Sequence, residues 1–168
     1  DTGDMLLKNT VKIENDMTAG ELHDILMESG SELLVSTIKG LKEGTIKREK
    51  QKAEDIIYAS MLNKQMAKID WNKTSKEINL LIRGLNPWPV AYTQYKNEIM
   101  KIYSSSILKE SSNKNPGTIL NVSKEDIKVV TGDGVLSITT VQFPGKKPMK
   151  VEEYIKGHTI EEGLVLGE

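Results

Sequence analysis

Between Val90 and Gln142 the apolar residues alternate with polar ones, and no other stretch limits the fold so tightly. Five short strands are predicted here: Val90–Tyr95, Ile99–Leu108, Thr118–Val122, Ile127–Thr131 and Val135–Gln142. Turn-forming strings separate them, namely Lys96-Asn97, Asn115-Pro116-Gly117 and Gly132-Asp133-Gly134. Strands this short, each with one apolar side, can bury that side by curling into a small barrel, and an OB-like architecture is one such solution.

Upstream the spacing is helical. Thr74-Ser75-Lys76-Glu77 is a capping box that opens a short helix with Ile78, Leu81, Ile82 and Leu85 on one side, and Asn86-Pro87 ends it. A second box, Thr18-Ala19-Gly20-Glu21, opens a longer helix carrying Leu22, Ile25, Leu26, Leu33, Leu34, Ile38 and Leu41, with Gly44 as its stop signal. Met5–Ile13 before it reads as a strand, and the helix's apolar face calls for a sheet to cover. Asp55–Met66 has only patchy helical spacing, and Val151–Gly157 adds a helical turn. The tail bearing Glu161, Glu162 and Glu168 reads as a loosely held terminus.

Charge divides the chain in two. Residues 1–43 carry 4 Lys against 9 acids, whereas 72–150 carry 12 Lys or Arg against 6 acids, and every aromatic lies at Tyr58 or later. A basic, aromatic-containing module points to a polyanionic partner, with a merely solvated surface as the alternative. Cysteine is absent, which removes disulfides, thiolate metal sites and a Cys nucleophile. His, Asp and Glu show no metal-ligand spacing, so no metal is expected. His23 reads as an exposed residue of the longer helix and His158 follows Gly157 near the tail; neither is assigned a role. No apolar run approaches the roughly 20 residues that span a bilayer, so no membrane is expected and the cytoplasm is the default location.

Three strings carry a resemblance: Asp1-Thr2-Gly3; Ile69-Asp70-Trp71 with Arg83-Gly84-Leu85-Asn86-Pro87-Trp88-Pro89; and Gln142-Phe143-Pro144-Gly145-Lys146-Lys147-Pro148-Met149. In order and spacing they resemble the methionyl-tRNA formyltransferase family, over essentially the whole chain but only the back half of such an enzyme. The resemblance implies an α+β chain. Residues 1–46 would be the terminal strand–helix piece of a Rossmann-like formyltransferase α/β domain, 47–69 a basic linker, and 70–168 an OB-like β-barrel that binds tRNA.

It further implies formyl transfer from 10-formyltetrahydrofolate to the amino group of initiator methionyl-tRNA, by a monomeric enzyme that holds the tRNA acceptor arm. Asp1 would be the catalytic aspartate, and Asp1 and Gly3 would border the folate. By itself Asp-x-Gly reads as an Asx-type turn, and only the neighbouring strings lift it above that. The Asn and His that work with this Asp in the family do not precede it here, so the stretch alone is expected to be inactive. Two other readings stay open, a formyltransferase acting on an amino-sugar nucleotide and a non-catalytic RNA-binding OB module.

Lys146 and Lys147, in a Gly/Pro-bounded loop directly after the last predicted strand, suit phosphate contacts that position a partner without reading sequence. Lys64, Lys68, Arg83 and Lys101 are expected to support them. Lys64 and Lys68 would share a face if helical, and Arg83 lies opposite Ile78, open to solvent or phosphate. Trp88, between two prolines, is expected as a core anchor rather than a base-stacking platform.

Overall fold

A computed structural model of the chain describes residues 3–52 and 56–167. It divides into two compact units, 1–61 and 62–168.

The first unit holds one long helix, α1 (Ala19–Glu43). Both arms of its capping box form: Thr18 Oγ1 accepts the Glu21 N–H, and the Glu21 carboxylate accepts the Thr18 N–H at 2.7 Å. The Thr18 N–H, and after it the Thr18 hydroxyl, hold the Glu21 carboxyl below its usual pKa. Gly44 ends the helix in the left-handed region at φ 69. The expected strand over Met5–Ile13 does not form. Only one antiparallel bridge, Met5 to Glu49, occurs there among the described residues, because a strand needs a neighbour along its whole length to satisfy its backbone. The apolar side of α1 stays open to solvent: Leu26 is 48% and Leu34 60% exposed.

The second unit begins at Leu62 and so takes in part of the stretch read as linker. Its first element is a single 3-10 turn, Lys64–Ala67, after which Ile69 and Trp71 enter the core. Next comes α2 (Ser75–Gly84), whose capping box also forms and whose Ile78 and Ile82 are buried. The strands follow as β1 (Tyr92–Tyr95), β2 (Glu98–Leu108), β3 (Ile119–Val122), β4 (Ile127–Val130) and β5 (Val135–Gln142). A short β6 (Met149–Lys150) and the one-turn α3 (Val151–Tyr154) complete the set. All strand pairs are antiparallel in the order β1-β2-β5-β4-β3, with β6 also on β5. The sheet wraps a single core that includes Trp71, Met100, Ile102, Ile127, Leu136, Ile138 and Phe143.

The acidic tail is not loose. Gly163 N–H donates to Ile119 O, Ile119 N–H to Leu164 O and Leu166 N–H to Gly117 O, all along β3 and its approach. Gly167 N–H then donates to Gln94 O on β1. The segment thus spans the two outer strands of the sheet, with Ile160 and Leu166 buried beneath it. Composition misleads here because backbone groups make these bonds whatever the side chains. Glu162 contributes by accepting the Val122 N–H at 2.7 Å, and Glu161 pairs with Lys96.

Two glycines are required by close approach. A Cβ on Gly117, at φ 88, would meet Leu166 O at 2.8 Å, and one on Gly132 would meet Asn72 O at 2.1 Å. The second approach seals the β4–β5 turn against the start of α2. Asp133 adds to the seal by accepting the Ser75 N–H at 2.7 Å, which holds its carboxyl below the usual range.

Candidate functional site

Strand pairing gathers the scattered lysines. Lys68 forms a parallel bridge with Tyr92, Tyr92 lies opposite Lys101, and Lys101 lies opposite Gln142. Residues directly opposite in a sheet point to the same face, and neighbouring strands are about 4.8 Å apart, so this row runs roughly 14 Å across four segments. The face is the outer one, since Ile69, Ala91, Thr93, Met100, Ile102 and Val141 beside the row are all buried. Lys101, Tyr92 and Gln142 are half-buried and Lys68 is exposed. Lysine can cover apolar surface with its stem and still present its charge to water.

Gln142 links the row to the Gly-Lys-Lys loop. Its Nε2 donates to Lys146 O at 2.8 Å, while Lys146 N–H closes a turn on Phe143 O at 3.1 Å. Lys146 and Lys147 themselves are exposed. From the loop's other side Phe143 stacks on Tyr154, with ring centroids 4.5 Å apart, and Tyr154 stacks on His158.

Arg83 is placed near the same surface but is not open as expected. Its Nε donates to Asn79 Oδ1 at 3.1 Å, and Asn79 Nδ2 in turn donates to Ser105 O on β2. The side chain lies half-buried along α2 because Asn79 on that helix and Asn86 just after it both bond to backbone carbonyls of β2. Lys64 and Lys68 do not share a helical face either. Lys64 opens the 3-10 turn and Lys68 follows it in extended backbone at ψ 123, since the chain must straighten to bridge with β1.

Trp88 is 56% exposed and is not a core anchor; that role belongs to Trp71, whose Nε1 donates to Thr93 Oγ1 at 3.0 Å. Val90, just beyond the second proline, is the residue that turns inward. An exposed indole has its flat apolar face available to a partner.

Asp1 lies outside the described residues. Gly3 is exposed, with nothing within 4 Å of the position a Cβ would take, and its carbonyl accepts from Gln51 Nε2 at 2.9 Å. Sequence reasoning passed over Tyr92, Tyr103 and Gln142. Their alternation marks them as outward-facing, but only the pairing register sets them beside the lysines.

Residues 61–159 match the family model described as formyl transferase, C-terminal domain. A methionyl-tRNA formyltransferase of Clostridium beijerinckii is 58% identical over 166 residues, which are 99% of this chain and 54% of the relative. The chain therefore spans about half the length of the curated relatives it matches. Two solved structures share the fold at lower identity. HypX from Aquifex aeolicus superposes with a TM-score of 0.69 at 18% identity, over 94% of this chain and 29% of that one. WlaRD, a sugar 3N-formyl transferase solved in the presence of dTDP and 5-N-formyl-THF, superposes with 0.61 at 23% identity, over 87% and 51%. With its sheet, most of its core and its basic loop inside the matched residues, the chain belongs to the formyl transferase C-terminal domain family.

Proposed function

We propose that this chain serves a methionyl-tRNA formyltransferase, and that its second unit holds the acceptor arm of initiator methionyl-tRNA while the formyl group passes from 10-formyltetrahydrofolate to the methionyl amine. The observation that carries the reading is the shared outer face of Lys68, Lys101 and the Lys146–Lys147 loop. Identity of 58% to a relative of that name supports the choice of partner. Cations mounted on a rigid sheet bind phosphates in fixed positions and leave sequence unread, which suits a protein that must orient a folded RNA rather than search along it. In this reading Lys64 and Arg83 extend the same face.

In this reading residues 1–46 are the last piece of a Rossmann-like domain, 47–69 a linker and 70–168 an OB-like barrel, in a monomeric cytoplasmic enzyme. Asp1 would support a histidine and a water at the reacting centre, with Gly3 beside the folate; single-turnover formylation by an Asp1→Asn enzyme tests this, and a wild-type rate removes Asp1 from the site.

The interface is tested by a Lys146→Glu, Lys147→Glu chain titrated with an initiator tRNA transcript at several salt concentrations. Affinity should fall in every sequence context, and the salt slope should flatten by about one for each phosphate that is no longer neutralised. Unchanged affinity and slope would leave the lysines as ordinary surface charge. A chain that binds a nucleotide-linked amino sugar and no tRNA would instead stand closer to WlaRD, the sugar 3N-formyl transferase. Tight tRNA binding with no part in folate-dependent transfer would indicate a non-catalytic RNA module.

A further inference from the structure

Between β5 and its partner β6, one side chain of the sheet reaches the Lys146–Lys147 loop. Gln142 ends β5, and its amide has two different jobs, Oε1 accepting from the Tyr103 hydroxyl at 2.8 Å and Nε2 donating to Lys146 O at 2.8 Å. Tyr103 is itself fixed. It falls between the pairs Ile102–Val141 and Ser104–Thr140 with no partner of its own, so it is the extra residue of a β-bulge, a device that re-aims a side chain. Its carbonyl accepts from Asn86 Nδ2 at 3.0 Å, which ties the bulge to the chain just after α2. The Lys146 carbonyl can only accept, so it requires Nε2 on its side and leaves Oε1 to accept from the Tyr103 hydroxyl.

We propose that Gln142, oriented by Tyr103, is a positioning residue that holds the Lys146–Lys147 backbone in its phosphate-binding geometry. The proposal rests on the tRNA-binding reading above. The two lysines are exposed, and long side chains lose freedom when they grip a phosphate. Fixing the backbone beforehand removes part of that cost, which is how preorganisation raises affinity without adding a contact to the ligand. The fold does not depend on the bond to Lys146, since the core beneath is held by Val141 and Phe143.

The test measures binding of the 168-residue chain to an initiator tRNA transcript for Gln142→Leu, for Lys146→Ala with Lys147→Ala, and for all three together. Gln142→Leu should weaken binding on the order of fivefold, the worth of one preorganising hydrogen bond, with the melting temperature nearly unchanged. In the background lacking both lysines the same change should cost nothing, because neighbours acting through one another are not additive. Tyr103→Phe, which keeps the ring and deletes only the donor, should weaken binding in the same way but less. Wild-type affinity for Gln142→Leu overturns the proposal and leaves the interface standing, as does an equal loss in both backgrounds. Wild-type affinity for the lysine variant overturns the interface itself.

Discussion

The two units use the same local grammar and reach opposite ends. Each has a helix opened by a Thr-x-x-Glu capping box with both arms formed and an apolar stripe along its length. In α2 the stripe is covered: Ile78 and Ile82 are at most 2% exposed. In α1 the stripe lies open, with Gly40 the only buried residue of the helix. Capping and periodicity therefore specify that a helix forms and which side it must bury, but not what buries it. That depends on a complementary surface, supplied for α2 by the sheet whose strands follow it in the chain and not supplied for α1 by the described residues of its unit.

The largest expected difference between the units comes from removing residues 160–168. Deleting the buried Ile160 and Leu166 costs about 2–5 kcal/mol each, against a typical domain stability of about 5–15 kcal/mol, and the outer strands lose their shared partner as well. The second unit should lose its cooperative transition while the α1 helical signal persists. Both tryptophans lie in the second unit, so their fluorescence reports it alone, and a sharp unfolding transition in the shortened chain would show the closing segment to be dispensable.

A smaller effect tests the contrast with one kind of substitution. Gly132→Ala drives a methyl group into the Asn72 carbonyl and should destabilise the second unit by about 3 kcal/mol, read from the denaturant midpoint. Gly30→Ala, in the middle of α1 with nothing within 4 Å, should do the reverse and favour the helix by about 0.5–1 kcal/mol. Circular dichroism at the helical band measures it. Equal signs at the two positions would break the comparison.

What was legible in the sequence was local. The two capping boxes, the Gly44 stop and the course of β5 follow from residues a few positions apart, and they stand where expected. The failures all involve distant partners. Met5–Ile13 has a strand's composition but, among the described residues, no neighbour along its length, Trp88 has an anchor's composition but projects outward, and the acidic tail is fixed by backbone bonds that side chains do not announce. The candidate interface divides in the same way. Lys146 and Lys147 could be picked out from their Gly/Pro-bounded loop, whereas the union of Lys68, Tyr92, Lys101 and Gln142 exists only in the register of three pairings.

The closing segment also bears on the order of folding. Gly167 meets Gln94 across more than seventy positions of sequence, whereas the β4–β5 pair closes over a few. Bringing distant ends together carries the larger entropic cost and is repaid only once the rest of the sheet exists, so the hairpins condense first and the ring shuts last. Bonds made after the rate-limiting step leave the speed of refolding alone and govern how long the finished protein survives. Weakening residues 163–167 should shorten that lifetime, seen as a raised unfolding limb of a chevron, and leave the refolding limb where it was.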